Sequence, residues 1–275
     1  NYYLICFYIE STLILDYKNK KENYSFWLER LKNKKPNQVC TNDVGLDKFE
    51  TNYILSKLSN NSKILEIGCG NGLLYENIRK NLNIDQYVGT DFVSELISYC
   101  NSKILNTNDR FIQLDMTEVK NDTFDIDFDF IISKRAIQNV LDQSLQFEAI
   151  DNFGYFLKQN GLMILIESSQ DALQNINQER SKYGLKKINS PFHNLFFDDE
   201  MLIQHNFKNV KLLESNPFSS DFYFITRIIY SRLAKEYLNE PPNYDHPLEK
   251  IALTMSNKLS TTDYSQLKCY TFIKK

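Results

Sequence analysis

Ile64-Leu65-Glu66-Ile67-Gly68-Cys69-Gly70-Asn71-Gly72 is an apolar run that closes on three glycines at alternate positions. Leu74, Ile78 and Leu82 come next, four residues apart, the spacing of one helical face. The pattern predicts strand, tight loop and helix. Glycine suits such a loop because a side chain would keep a ligand away from the backbone, and because tight loops often require positive φ. The strand tip is therefore read as a ligand seat, with Glu66, Gly68, Cys69, Gly70 and Gly72 as its residues. The plainer reading is that the glycines only turn the chain. Cys69 reads first as a small filler, with a redox or nucleophilic role as its alternative.

A glycine loop gains meaning from the residues downstream of it. Tyr87-Val88-Gly89-Thr90-Asp91 is a second short apolar run ending in an acid about twenty residues on, the arrangement that brings a carboxylate to ribose hydroxyls. The dinucleotide fingerprint would place a third glycine at position 73, which is Leu73. The pattern here is G-x-G-x-G.

At these residues the chain resembles the class I S-adenosylmethionine-dependent methyltransferases, whose first motif is an acid, an apolar residue and G-x-G-x-G. Glu66 to Gly72 match it, and the family's later segments come in order: Gly89-Thr90-Asp91-Phe92, Leu114-Asp115-Met116, and Phe128 to Ser133 as strand four. The resemblance implies S-adenosylmethionine as cofactor and S-adenosylhomocysteine as product. It implies that Glu66 and the glycine loop seat the methionine part, Asp91 the ribose, Phe92 an adenine face and Asp115-Met116 the adenine edge, with Ser133 at the fourth strand tip. It also implies a Rossmann-like α/β fold: a mostly parallel seven-stranded sheet, helices on both faces, a reversed last strand, extra N-terminal helices and a C-terminal insertion.

Composition is that of an ordinary globular chain. Its 275 residues are 42% apolar, with 17 Tyr and 19 Phe, enough to bury a sizeable core. A net charge of −3 argues against a general nucleic-acid binder. Cys6, Cys40, Cys69, Cys100 and Cys269 are scattered and never in a C-x-x-C pair, which favours reduced thiols and a cytoplasmic location. Tyr2 to Leu15 is apolar but broken by Glu10, short of the ~20 residues a membrane span needs. No stable membrane insertion is expected. The chain opens on Asn1, which leaves open whether residues precede it, and the sequence does not address its oligomeric state.

Residues 1–22 read as an extension of unassigned role, with Lys18 to Glu22 a polar connection; 23–275 read as one domain. Ser25 to Lys35 has an amphipathic helical pattern. Phe26-Trp27-Leu28-Glu29-Arg30 resembles the helix that lids the cofactor in the family; plain packing on the core is the alternative. Residues 46–58 give a second helical face. Strands are expected near 63–67, 87–91, 111–115, 128–133 and 161–167, separated by helix-length segments, which argues for βα units and a parallel sheet. Right-handed crossovers then align Gly68, Asp91, Asp115 and Ser133 along one edge. Lys158 to Gly161 reads as a helix end and turn, Val210 to Glu214 and Lys268 to Ile273 as further strands. Phe222 to Leu238 reads as helix and Glu240 to Pro247 as a Pro-rich loop. The cofactor core spans about 45–170 and the substrate-side insertion about 168–265.

Methyl transfer from a sulfonium requires alignment and exclusion of water more than acid–base chemistry. A neutral hydroxyl acceptor benefits from a base; an amine or an anionic oxygen does not. Of the three histidines, His193 lies past strand five and is the candidate base, or else a loop residue that holds a lid. His205 reads as surface, and His246 as a lesser pocket candidate.

The chain further resembles bacterial methyltransferases of surface-polysaccharide biosynthesis, through Lys134 to Val140, Glu167 to Gln170, Asn177 to Arg180, His193-Asn194 and Asp221 to Arg227. That resemblance points to Arg135, Arg180, Asn194, Tyr223 and Arg227 as substrate contacts, the arginines for an anionic group or as structural salt bridges. Other signals fail. Asp125, Asp127 and Asp129 lack the glycine and glutamate of a calcium loop, no histidine or cysteine pairing suits zinc, and Pro241-Pro242 lies far from strand four, where base-methylating enzymes carry theirs. The reading is an enzyme that O-methylates a polar small molecule or a surface-glycan precursor. Its rivals are a small-molecule N-methyltransferase, a non-catalytic cofactor-binding module and, more remotely, a nicotinamide oxidoreductase.

Overall fold

A computed structural model describes residues 20–35, 38–238, 242–244, 246–255 and 264–275. The apolar stretch Tyr2 to Leu15, Cys6 and part of the Glu240 to Pro247 loop lie outside them. Seven strands form one sheet: β1 (Lys63–Ile67), β2 (Gln86–Asp91), β3 (Arg110–Gln113), β4 (Phe128–Lys134), β5 (Leu157–Ser168), β6 (Val210–Pro217) and β7 (Leu267–Lys274), in the order β3-β2-β1-β4-β5-β7-β6. β7 runs antiparallel to β5 and β6, and the remaining pairs are parallel.

The parallel strands read as unbroken apolar runs because both faces are covered. In β1, Ile64 packs into one core cluster with Ile54, Ile78 and Tyr87. Leu65 and Ile67 point the other way, toward Ile131, Phe147 and Phe153. The alternation arises from the two-residue period of a strand. The helices are α1 (20–33), α2 (Val44–Lys57), α3 (Leu73–Asn81), α4 (Ser94–Asn101), α5 (Gln143–Gly154), α6 (Gln170–Lys182) and α7 (Asp199–Gln204). After β6, α8 (Ser220–Tyr223) and α9 (Tyr230–Leu233) are joined by a π-helical stretch, Phe224–Ile229, and then comes α10 (Pro247–Met255). No helix among the described residues is long and apolar enough to cross a membrane.

Three expectations are corrected. Lys20 to Glu22 are part of α1, because Lys20 reaches Asp115 and is held in the helix rather than in a solvated connection. Lys158 to Gly161 do not end a helix. α5 stops at Gly154 and β5 already includes these residues, with Asn160 at φ 65° and a register shift against β4 between Phe128 and Phe130. The turn signal there is a β-irregularity. Pro247 does not close a loop but opens α10, where its fixed φ and missing N–H are tolerated.

Candidate functional site

The site lies at the carboxyl edge of β1, β2 and β4. At the tip of β1, Gly68 and Gly70 have φ of 68° and 54°. A Cβ on Gly68 would collide with the Ala136 Cβ, and one on Gly70 would collide with the Cys40 sulfur. Both positions thus demand glycine by conformation and by crowding. Gly72 starts α3 in the left-handed region.

At the end of β2, the Asp91 carboxylate accepts the Gly70 N–H and the Val93 N–H, each at 3.0 Å. One bond to each oxygen fixes the group against the glycine loop and leaves further lone pairs for a diol. Burial pushes its pKa up to about 6, against the backbone N–H groups that lower it. Glu66 is also buried, accepts the Tyr87 hydroxyl, and is pushed up to about 7 by burial. Beyond β3, Asp115 accepts the Thr117 N–H and hydroxyl at 2.9 and 2.8 Å and pairs with Lys20 at 2.9 Å. Burial acts to raise its pKa, but these partners outweigh it and hold the carboxyl below its usual range.

One cavity joins these groups. Glu66, Gly68, Cys69, Gly70, Asp91, Phe92, Asp115 and Met116 line it; Gly72 and Ser133 do not. The Ser133 hydroxyl is fully buried and donates to Glu167 at 2.6 Å. That same carboxylate accepts the N–H groups of Ala136 and Ile137 at 3.1 Å and of Gln138 at 3.3 Å. Glu167 thereby holds the loop after β4 against Gly68.

Lys20, Asn23, Thr41 and Asp47, which sequence reasoning did not single out as site residues, complete the cavity with Trp27, Lys134 and Arg135. α1 lies over it through Lys20, Asn23 and Trp27. The helix is tied down by Asn23 Nδ2 to the Asn139 carbonyl at 2.9 Å, and by the Tyr24 hydroxyl within 2.9 Å of the Ser94 hydroxyl. At the far end, Thr41, Asp47, Lys134 and Arg135 form a polar wall. Lys134 donates to Asp47 at 2.5 Å and Arg135 pairs with Glu50 at 2.9 Å. Burial pushes Glu50 up to about 7, against the pull of Arg135. Arg135 itself sits at φ 56°, with Asn139 Nδ2 donating to its carbonyl at 3.1 Å. The available signal was on α2, where Asp47 and Glu50 fall on the buried face with Leu46 and Ile54.

The remaining candidates do not converge on this cavity. Arg180 and Arg227 border a second one with Ile188, Ser231, Tyr244 and Glu249. Arg227 bridges Asp43 and Glu249, and Arg180 donates to the carbonyls of Lys186 and Arg227. Tyr223 is buried beside Arg227. His193 stacks on Phe26 of α1 at 4.1 Å and touches Trp27, outside the cavity. Burial, and then Arg30, lower its pKa to about 4, so the imidazole is neutral at pH 7. The neighbouring Asn194 N–H donates to the Pro191 carbonyl, and its side chain also lies off the cavity. Cys40, Cys69, Cys100 and Cys269 are free thiols, and no metal-binding cluster occurs among the described residues.

The left-handed glycines, the oriented Asp91 and the apolar flank of Phe92, Leu114 and Met116 fit an adenosyl group with a short polar tail. The sequence model of the family described as "Methyltransferase domain" matches residues 58–216, and the chain belongs to that family. No curated protein matches it in sequence. Among solved structures it is similar to the N-methyltransferase NodS from Bradyrhizobium japonicum in complex with S-adenosyl-L-homocysteine. That match has TM-score 0.53 and 12% identity, over 92% of this chain and 98% of that one. It is also similar to the plantazolicin methyltransferase BpumL in complex with a desmethyl analogue and the same nucleoside (TM-score 0.52, 16% identity, 94% and 99% covered). A TehB-like methyltransferase from Corynebacterium glutamicum gives 0.50, 16%, 82% and 87%. At these identities the likeness is one of fold.

Proposed function

We propose that this methyltransferase moves a methyl group from S-adenosylmethionine to a polar small molecule held against Thr41, Asp47, Lys134 and Arg135. When bound, the cofactor supplies a methyl group already activated on a sulfonium. The chain's own part is alignment and dryness. Asp91 fixes the sugar, the Gly68 to Gly70 backbone permits close approach, and α1 excludes water.

The observation that carries this reading is one continuous cavity running from Asp115 and Asp91, past the glycine loop, to the Asp47–Lys134 and Arg135–Glu50 pairs. No histidine borders it among the described residues. We therefore assign His193 to holding α1 rather than to proton abstraction. The acceptors that suit such a wall are those that attack without a base, an amine or an ionised oxygen, ahead of the neutral hydroxyl of a glycan precursor. The test is transfer of labelled methyl to panels of small amines, carboxylic acids and polyols. Turnover with amines or acids that survives His193→Ala supports the reading. Turnover with polyols alone, lost in that variant, overturns it.

A further inference from the structure

Two amide oxygens at the cavity have no partner. Asn23 on α1 and Asn139 after β4 both border it, and the Oδ1 atom of each is buried without a hydrogen bond. Their orientations are set by the other end of each amide. Asn23 Nδ2 donates to the Asn139 carbonyl at 2.9 Å, and Asn139 Nδ2 donates to the carbonyls of Arg135 and Ala136 at 3.1 and 3.0 Å. Rotating either amide would break these bonds. Asn23 is only 4% exposed. A carbonyl-type oxygen shut away without a donor is costly, and a buried polar atom left so calls for a partner.

We propose that Asn23 and Asn139 form a receptor for an amino or ammonium group of the bound ligand, drawing the lid helix and the loop after β4 around it. The proposal rests on the reading of the cavity as a seat for S-adenosylmethionine. Charge agrees with it: Asp47, Glu66, Asp91 and Asp115 border the cavity against Lys20, Lys134 and Arg135, so the lining does not oppose a cationic group. Two acceptors from two elements suit an –NH2 or –NH3+ group, which carries more than one donor. The group comes from one of three sources: the ammonium of the cofactor's amino-acid tail, the amino group of its adenine, or an amine acceptor.

Calorimetric titration separates them. S-Adenosylhomocysteine and 5′-methylthioadenosine, which keeps the adenine but lacks the amino-acid tail, are titrated into the wild type, Asn23→Leu, Asn139→Leu and Asn23→Asp, with thermal melts alongside. Hydrogen bonds to a charged group are strong enough that each leucine variant is expected to weaken binding about 10- to 100-fold. Loss with S-adenosylhomocysteine alone, restored in Asn23→Asp, assigns the tail ammonium. Loss with both nucleosides assigns the adenine. Unchanged binding of both, with a raised KM in the small-amine panel, assigns the acceptor. Binding and KM unchanged in variants with native melts overturn the proposal, the oxygens then being met by water. Failure of the wild type to bind either nucleoside overturns the cofactor reading and the proposal with it. Should a leucine variant fail to fold, Asn23→Ser gives the same comparison with less disturbance to packing.

Discussion

Two buried charge clusters lie at opposite ends of the strands, and they differ in completeness. Near the start of β2, the fully buried Asp109 accepts Arg79 Nε and the Tyr75 hydroxyl at 2.8 Å and the Tyr87 N–H at 2.9 Å. None of these residues lines the cavity at the carboxyl edge. At the carboxyl edge, the buried Asp47 and Glu50 pair with the part-buried Lys134 and Arg135, and three of the four line the cavity. Glu50 is held up at about 7, and Arg135 occupies a left-handed conformation. A closed cluster fastens the scaffold. An open one keeps charged groups in a shape that a ligand completes.

The sharpest way to break the comparison is to open the closed cluster. Asp109→Ala leaves Arg79 buried without its carboxylate and strands two other donors, at an expected cost of about 3–5 kcal/mol. Denaturant unfolding measures it; the surviving folded fraction is expected to bind cofactor as the wild type does. Gly68→Ala acts the other way. A methyl group driven toward Ala136 at φ 68° is expected to cost about 2–3 kcal/mol of cofactor binding, read by calorimetry as a loss of roughly 30- to 150-fold.

Glu50→Gln sharpens the contrast within the open cluster. Arg135 loses its nearer carboxylate and keeps Asp47 at 4.0 Å, and stability is expected to fall by about 1–3 kcal/mol. Cofactor affinity should stay near wild type while methyl transfer slows, because Arg135 borders the acceptor end. Single-turnover and binding measurements on one preparation separate the two effects.

Glu66 provides a pH test. Its folded pKa of about 7 lies above the ordinary carboxyl value, so the folded chain keeps a proton that the unfolded chain has already lost. Its contribution to stability is therefore present below about pH 4 and lost as pH rises toward 7. Relative to Glu66→Gln, the wild type is expected to lose up to about 3 kcal/mol between pH 4.5 and 7.5. A difference that is flat, or of opposite sign, contradicts the burial account. The smallest effect belongs to His193→Ala. Removing one ring from the stack on Phe26 is worth about 0.5–1.5 kcal/mol, so cofactor binding should weaken by at most about tenfold through a looser α1. The pH–rate profile should keep its shape; loss of a limb in that profile would restore a base role.

What could be read from the sequence was what is local in the chain. The glycine loop, Asp91 and Asp115 each sit at the end of a strand with its own apolar signature, and a parallel sheet brings such ends together without further instruction. The polar wall could not be read that way. Lys134 and Arg135 find Asp47 and Glu50 more than eighty residues away, and although both acids share α2's apolar face, nothing in that spacing names their partners. Arg180 and Arg227, which one resemblance groups with Arg135, border a different cavity. At Asn160-Gly161 a turn signature was real but lay inside a strand. There a Cβ on Gly161 would crowd the carbonyls of Lys158, Phe128 and Asp129, so the glycine serves close strand packing.

The measurement that tests the central claim most directly is calorimetric titration of S-adenosylmethionine, S-adenosylhomocysteine and NAD into the wild type and Asp91→Ala, with thermal melts of both proteins. The account predicts that the first two bind and NAD does not, and that Asp91→Ala weakens binding about 10- to 100-fold through the lost ribose bonds while still unfolding cooperatively. Binding of NAD alone, or an Asp91→Ala variant that binds S-adenosylmethionine as tightly as the wild type, would contradict it.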